Sequence, residues 1–259
     1  MHSAVTRTSG ATEGKCGPHF APQLARVLPP VVSIIVPVYN EQATITAVLE
    51  RLNALPLAKE IVVVDDASSD GTRETLSSLD ESWPVKVLLK PTNEGKGAAI
   101  RTGLSYCTGD IVVIQDADLE YNPREIPRLV AAIRAGDADV VYGSRFLDPE
   151  AHHQGGVRWL HRCVNGLLTW LSNRATGLAL TDMETCYKAV RRDAFEGLTI
   201  EQNRFGFEPE ITAKLARKKL RFVEVPISYA PRGYRDGKKI MPIDLVKAIY
   251  AIVRYCWKK

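Results

Sequence analysis

The sequence predicts an α/β fold, a mostly parallel sheet flanked by helices on both faces. Two observations carry this. Short β-branched apolar runs alternate with helical stretches at the spacing of strand–helix–strand units. The polar clusters Asn40-Glu41, Asp65-Asp66, Asp116–Asp118 and Ser144-Arg145 each stand just after such a run, where open parallel sheets bind their ligands. A chain of 259 residues, 45% apolar and 25% charged, suits one large domain with short appendages.

The elements follow in order. Residues 1–30 are rich in Gly, Thr, Ser and Pro, lack periodicity and close on Pro29-Pro30, which predicts a disordered N-terminal tail. Val32–Val38 is the first strand, and a helix is expected from about Gln42 to Leu55. Glu60–Val64 is the second strand, after which Ser68–Thr72 supplies turn and cap chemistry for a helix to about Leu79. Val85–Leu89 and Ile111–Ile114 are further strands, separated by a helix that opens at Gly95-Lys96-Gly97. Pro123 begins another helix, and Asp139–Tyr142 is the next strand.

Beyond Arg145 the rhythm changes. Gly155-Gly156 marks a loop, and Trp159, Leu160, Cys163, Val164, Leu167, Leu168 and Leu171 then recur at helical spacing. That stripe predicts a helix face packed on the core, or else one wall of an acceptor site. A helix from about Pro209 to Arg217, a strand Phe222–Val225, a loop Pro231–Lys239 and a final helix complete the chain. The expected organisation is a tail over 1–30, a catalytic domain over 31–240 and a C-terminal amphipathic helix over 241–259.

Composition excludes several classes. A net charge of +4 is small for a nucleic-acid binder, and its excess lies late, in Arg191-Arg192, Arg217-Lys218-Lys219 and Lys238-Lys239. Such runs are ordinarily solvated surface, and no nucleic-acid partner is expected. The five cysteines are scattered without a CxxC pair, which argues against a zinc site or a disulfide framework and fits a reducing compartment. Met1–Pro30 lacks the apolar core of a secretory signal, and no apolar run reaches the roughly 20 residues of a membrane span. The expected location is therefore cytoplasmic, with any membrane association peripheral.

The acidic run Asp116-Ala117-Asp118-Leu119-Glu120 directly follows Ile111–Ile114. Carboxylates at the end of a buried strand repel one another unless a cation lies between them. Hard oxygen ligands of this kind suit Mg²⁺ or Mn²⁺, which bridge diphosphates. Acidic turns follow many strands, so this run alone is a weak signal. Asp65-Asp66 ends a second strand, where one acid is placed to bond a base or ribose, or simply to cap a helix.

Taken together, Val36–Glu41, Val62–Asp66 with Ser69–Thr72, Asn93–Gly97, Asp116–Glu120 and Gly143–Phe146 occur in order and at characteristic spacing. In these motifs the chain resembles the family-two inverting glycosyltransferases of GT-A (Rossmann-like) fold. Within them it is most similar to dolichyl- or polyprenyl-phosphate sugar synthases of the mannose-synthase type. The resemblance covers roughly residues 32–239 and implies a nucleotide-sugar donor, a polyprenyl-phosphate acceptor and Mg²⁺ or Mn²⁺. It implies a hexose from a GDP-mannose or UDP-glucose type of donor, and leaves base, sugar and oligomeric state open.

Residue roles come with that resemblance. Pro37, Tyr39 and Glu41 would line the base and ribose pocket, closed by Val64 and Asp66. Asp116 and Ala117 would face the nucleotide, and Asp118 the metal and diphosphate. Glu120 stands where these synthases often carry Gln as a further metal ligand; a carboxylate there is the harder donor. Arg145 would meet donor phosphate or sugar, and Arg232 and Lys238 would clamp phosphates, with Arg235 and Lys239 near enough to leave register open. Asp182 matches an acid of the family motif, whereas Cys186-Tyr187-Lys188 departs from it, and Arg162 approximates an acceptor-phosphate contact. Asp118, Arg145, Asp182, Arg232 and Lys238 are thus the expected catalytic set. Glu208 or Glu210 either reaches the site or caps its helix.

Other readings stay open. A hydroxyl acceptor would need a general base, for which Asp182 or Glu184 is available. A nucleotidyltransferase would usually show a Gly-rich basic loop after the first strand, which Pro37–Glu41 is not. A non-catalytic binding module fits least, since the acidic motif and the basic loop are both intact.

Overall fold

A computed structural model describes residues 31–80, 82–147, 159–204, 206–231 and 242–257. The expected tail, and Arg232, Arg235, Lys238 and Lys239 of the late loop, lie outside the described residues. The strands are β1 (Val32–Val38), β2 (Lys59–Asp65), β3 (Val85–Leu89), β4 (Ile111–Ile114), β5 (Val140–Ser144), β6 (Lys188–Arg191) and β7 (Phe222–Pro226). The helices are α1 (Ile45–Asn53), α2 (Thr72–Ser77), α3 (Lys96–Leu104), α4 (Ile126–Arg134), α5 (Trp159–Thr176), α6 (Phe207–Arg217) and α7 (Pro242–Trp257).

The seven strands form one sheet in the order β3-β2-β1-β4-β6-β5-β7. All pairs are parallel except those of β6, which runs antiparallel to β4 and β5. Central strands are buried on both faces, as their unbroken Val/Ile runs require, whereas edge strands β3 and β7 are only partly covered. The expected α/β sheet is present.

The sequence reading missed β6. Its four residues, Lys-Ala-Val-Arg, carry a charge at each end, and Lys188 is 1% exposed. Its ammonium is satisfied locally by the carbonyls of Met183 and Thr185 and lies 4.7 Å from the Tyr142 ring centroid.

Helix starts shift for local reasons. α1 begins at Ile45 rather than Gln42, because Asn40 adopts a left-handed backbone and Glu41 O accepts from the N–H groups of Thr44 and Ile45. Pro123–Glu125 is a 3₁₀ turn capped by Asn122 before α4. On α5 the apolar stripe is only half right: Leu168 is buried, but Cys163 and Leu167 are exposed. The inward positions are instead Asn165, Leu168, Thr169 and Ser172. This face meets the backbone of residues 180–183 and must bond to it: Thr169 Oγ1 accepts from Met183 N at 3.1 Å. α7 packs on α5 and α6 through Ala248, Ala251, Ile252 and Tyr255.

Candidate functional site

The site begins with backbone strain. Asn40, Ala67 and Leu119 have φ of 54°, 62° and 58°. They follow β1, β2 and β4, three neighbouring strands, at their carboxyl ends. A left-handed conformation costs a non-glycine residue on the order of 1 kcal/mol or more, and such residues cluster at functional sites. Cross-loop bonds hold the first two turns: Asn40 N donates to Ser68 Oγ (2.9 Å), Ser69 N to Asn40 Oδ1 (2.8 Å) and Glu41 N to Thr72 Oγ1 (2.9 Å).

The residues expected to hold the base and ribose sit around these turns. Pro37 is partly buried and Tyr39 is 49% exposed at the crevice rim. Glu41 Oε2 accepts from Thr44 Oγ1 at 2.8 Å. Val64 is fully buried and packs with Val62 and Ala99, which leaves its side chain no surface toward solvent. Asp66 is 2% exposed, and its carboxylate accepts from Lys90 Nζ (2.6 Å), Glu94 N (3.1 Å) and Gly95 N (2.6 Å). It thereby fixes the loop that opens α3. Gly95 is required there: its φ is +106°, and a Cβ would stand 2.5 Å from Asn203 O.

The acidic run turns at the end of β4. Gln115, buried, accepts from Tyr187 OH (2.5 Å) and donates to Asp116 O (2.8 Å), which anchors the turn. Lys96 Nζ meets Asp116 at 2.9 Å and Glu208 at 3.2 Å. Burial opposes charge on Lys96, but its neighbours, the Asp116 carboxylate first and Glu208 among them, together outweigh it and hold the ammonium well above its ordinary pKa. Ala117 is 3% exposed beneath the turn. Asp118 Oδ1 accepts from Glu120 N (3.1 Å), while Glu120 Oε2 accepts from Tyr229 OH (2.6 Å) and Glu120 O from Ala230 N (2.9 Å). The late basic loop therefore departs from beside Glu120. Among the described residues no group of three or more His, Cys, Asp or Glu is gathered for a metal. Asp118 and Glu120 nonetheless offer two hard carboxylates from one tight turn, a donor set that suits Mg²⁺ or Mn²⁺ once diphosphate oxygens complete it.

A second centre lies after β5. Arg145 Nε and Nη2 donate to Asp182 Oδ2 and Oδ1, both at 2.7 Å, and Arg145 N donates to Oδ2 at 3.1 Å. Asn165 Nδ2 on α5 adds a fourth bond to this carboxylate at 3.2 Å. Asp182 is 0% exposed, and its own N–H is held by Glu224. Burial disfavours the guanidinium charge of Arg145, but its neighbours, the bonded Asp182 carboxylate among them, together outweigh that and hold its pKa well above the ordinary value. Its guanidinium carbon lies 5.6 Å from the Phe146 ring centroid and 5.1 Å from that of Tyr229. Arg162, exposed on α5, approaches the same Phe146 ring at 5.7 Å. Phe146 thus joins Arg145 to Arg162, and Tyr229 joins Arg145 to Glu120.

Sequence reading missed Tyr229, Lys96 and Lys90. The visible signals were a tyrosine just ahead of the basic loop, a lysine shortly before the Asn93–Gly97 loop and a lysine within it. Glu208 and Glu210 turn to different partners. Glu208 reaches Lys96, whereas Glu210 accepts from the N–H groups of Glu201 and Gln202 at 2.7 Å each and from Lys214.

Glu184 lies one residue beyond Met183, and burial, with Glu208 next, pushes its carboxyl up to about 8. Its Oε1 is shut from solvent without a partner.

A mostly parallel sheet with an acidic turn after β4 and the Arg145–Asp182 pair after β5 has the layout of a GT-A fold. Residues 33–199 match the profile of Glycosyl transferase family 2, and the chain belongs to that family. It is 35% identical over 229 residues to the undecaprenyl-phosphate 4-deoxy-4-formamido-L-arabinose transferase of Sodalis glossinidius, covering 86% of this chain and 66% of that protein. The Klebsiella pneumoniae transferase of the same name is 35% identical over 234 residues, 87% of this chain and 68% of its own. The chain thus spans about two thirds of the length of these curated relatives. The fold also matches glucosyl-3-phosphoglycerate synthase of Mycobacterium tuberculosis in complex with Mn²⁺, UDP and phosphoglyceric acid, with a TM-score of 0.67, 19% identity and coverage of 89% and 80% of the two chains.

Proposed function

We propose that this chain transfers a sugar from a nucleoside-diphosphate sugar to a polyprenyl phosphate, with inversion at the anomeric carbon. The observation that carries the reading is the occupancy of Asp182. Its two oxygens already accept from Arg145 three times and from Asn165 once, so it is a poor general base for a hydroxyl acceptor. A phosphate monoester needs no strong base, since its second pKa is near 6 and it is largely dianionic at neutral pH. What it needs is cationic anchoring, and Arg145 and Arg162 meet at Phe146. The relatives named for undecaprenyl phosphate support the same acceptor class.

In this reading an acceptor phosphate oxygen attacks the anomeric carbon. The bond from that carbon to the donor diphosphate breaks, and its electron pair leaves with the nucleoside diphosphate. Asp118 and Glu120 would hold Mg²⁺ or Mn²⁺, which neutralises charge on the leaving diphosphate. Lys96 keeps Asp116 oriented at the nucleotide. Arg232 and Lys238 would add leaving-group stabilisation, as the family resemblance implies. UDP and Mn²⁺ in the structural neighbour favour a uridine donor. The sugar is a hexose, as the resemblance implies, or a pentose of the 4-formamido-arabinose kind carried in the relatives' name.

Among the described residues no helix is long and apolar enough to cross a membrane. A lipid acceptor is met at a bilayer surface, and the outer face of α7 is the proposed docking element. The deciding experiment offers a panel of UDP- and GDP-sugars with Mg²⁺ or Mn²⁺ to the protein, together with farnesyl phosphate, farnesol or a simple glycan. Product should form on farnesyl phosphate alone. Transfer to farnesol or to the glycan, with the phosphate inert, would overturn the reading.

A further inference from the structure

We propose that Glu184 acts as an un-ionised carboxylic acid that donates a hydrogen bond to the acceptor's phosphate, and so selects a phosphate monoester over a hydroxyl acceptor. This deepens the acceptor assignment above and rests on it. Glu184 keeps part of its surface open, while its Oε1 is sealed from solvent and bonded to nothing. An ionised carboxylate in that position leaves a buried anionic oxygen unsatisfied, which is costly; a protonated one removes most of the penalty.

The surrounding charges point the same way. α6 brings Glu208, β6 brings Lys188, the turn after β5 brings Arg145, and its own loop brings Asp182. α5 turns the uncharged Asn165, Thr169 and Ser172 inward, Asn165 onto Asp182 and Thr169 onto the Met183 N–H. Lys96 pairs with Asp116 and Glu208, and Arg145 with Asp182. Lys188 donates to the carbonyls of Met183 and Thr185, and burial lowers its own pKa. Around Glu184 the carboxylates Glu208 and Asp182 are thus met by the cations Lys188 and Arg145, so an ionised Glu184 adds a negative charge with no cation left to match it. A proton on Glu184 removes that charge.

The chemistry discriminates by charge. A neutral carboxyl gives its O–H to a phosphate dianion, whereas an ionised one repels it. A hydroxyl acceptor would need the reverse, an ionised base that takes the hydroxyl proton. The raised acid stays protonated until the pH passes its folded-state value of about 8. Below about pH 6 the acceptor itself loses dianionic charge. The productive window lies between the two.

The test measures kcat/KM for farnesyl phosphate from pH 5.5 to 9.5, using whichever nucleotide sugar is turned over. The wild type should lose activity above pH 8, toward tenfold per unit. Glu184→Gln, neutral at every pH and still a donor, should keep the pH 7 value within about threefold and lose the alkaline fall. Glu184→Ala should raise the acceptor KM at least tenfold and leave nucleotide binding by calorimetry unchanged. A Gln variant as inactive as Ala would make Glu184 a base and overturn the proposal, as would an alkaline limb that survives in Gln. Infrared difference spectra of wild type against Glu184→Gln give a readout independent of turnover. A protonated carboxyl band present at pH 7 and lost above pH 8 is expected. Its absence at pH 7 overturns the assignment of a neutral acid, even if farnesyl phosphate proves not to be the acceptor.

Discussion

Arg145 and Asp182 are joined by two parallel hydrogen bonds of 2.7 Å, with the carboxylate wholly shut from solvent. The acid positions the guanidinium rather than a proton. A buried carboxylate that accepts four hydrogen bonds and pairs with an arginine has little capacity left for an incoming hydroxyl.

Asp182→Asn should therefore act through Arg145. It breaks a buried pair and leaves the guanidinium uncompensated, a change that typically costs about 3–5 kcal/mol of stability. We expect a lowered Tm together with a rise in acceptor KM of at least about tenfold, since each 1.4 kcal/mol lost in binding is tenfold. Nucleotide affinity by calorimetry should hold. A variant of unchanged Tm whose kcat alone collapses would make Asp182 a proton acceptor after all.

Asp118→Ala should reduce transfer to below about 1% of wild type, because metal-assisted charge stabilisation supplies several kcal/mol. Divalent-ion dependence of nucleotide binding should vanish with it. The residue sits in a turn outside the core, so the circular-dichroism spectrum should be unchanged. Normal metal-dependent turnover in this variant would remove Asp118 from the metal site.

The fold was legible because its carriers are local. Short runs dominated by Val and Ile, such as Val32–Val38 and Ile111–Ile114, read as strands buried on both faces, and each is one. β6 was hidden because its stability comes from pairing with β4 and β5, while its own sequence offers two charges in four residues. The α5 stripe misled for a related reason. Periodicity marks which residues are apolar, but the partner surface there is polar, the Asp182 carboxylate and the Met183 N–H, and it drew Asn165 and Thr169 inward beside Leu168. Contacts made across the fold leave no such local mark. Tyr229 reaches Glu120 over 109 positions, and no short window contains both.

Arg162→Ala should weaken the apparent affinity for farnesyl phosphate about fivefold to tenfold and leave nucleotide binding intact. The guanidinium is exposed and touches Phe146 rather than the acidic turn. Exposed charges contribute modestly, about 1 kcal/mol, and salt screens them. Loss of nucleotide binding would place Arg162 on the donor side instead.

Asp139 ties β5 to both neighbours, accepting from Arg221 N and Nε at 2.9 and 3.0 Å and from Arg191 Nη1 at 3.0 Å. Its bonds to Arg221 come first among the causes that hold its carboxyl down at about 2. A depressed acid contributes stability that is present above its unfolded value near 4 and is lost as pH falls through about 2. Between pH 5 and 2, Asp139→Asn should therefore show a shallower fall of Tm than the wild type. At pH 7 the variant should melt about 3–6 °C lower, the range for a charge-assisted network in a domain of this size. Parallel Tm curves across that range would mean that the pair is screened out in solution.

The last prediction concerns α7. Helical spacing puts Lys247, Arg254 and Lys258 within one arc of the C-terminal helix, and the structure rearranges that stripe. Arg254 is drawn to Glu201 at 2.9 Å, and Lys258 lies outside the described residues. The core side of α7 is Ala248, Ala251, Ile252 and Tyr255. Opposite it, Val246, Tyr250 and Val253 recur at helical spacing and are 60%, 57% and 43% exposed, with Lys247 exposed beside them. The outward face is thus apolar with a basic flank, the composition that seats a helix in a bilayer interface. α5, which packs on α7, also exposes Leu167 and Trp170. Docking there would keep the enzyme beside an acceptor whose tail never leaves the lipid. Deleting α7 is a poor test, because its other face covers α5 and α6. The triple substitution V246S/Y250S/V253S leaves the buried face alone. Full-length wild type should sediment with vesicles containing phosphatidylglycerol, less so as salt rises. The triple variant should stay in the supernatant at least about tenfold more, with an unchanged melting profile. Equal sedimentation of the two proteins, or of neither, would remove α7 as the membrane-facing element.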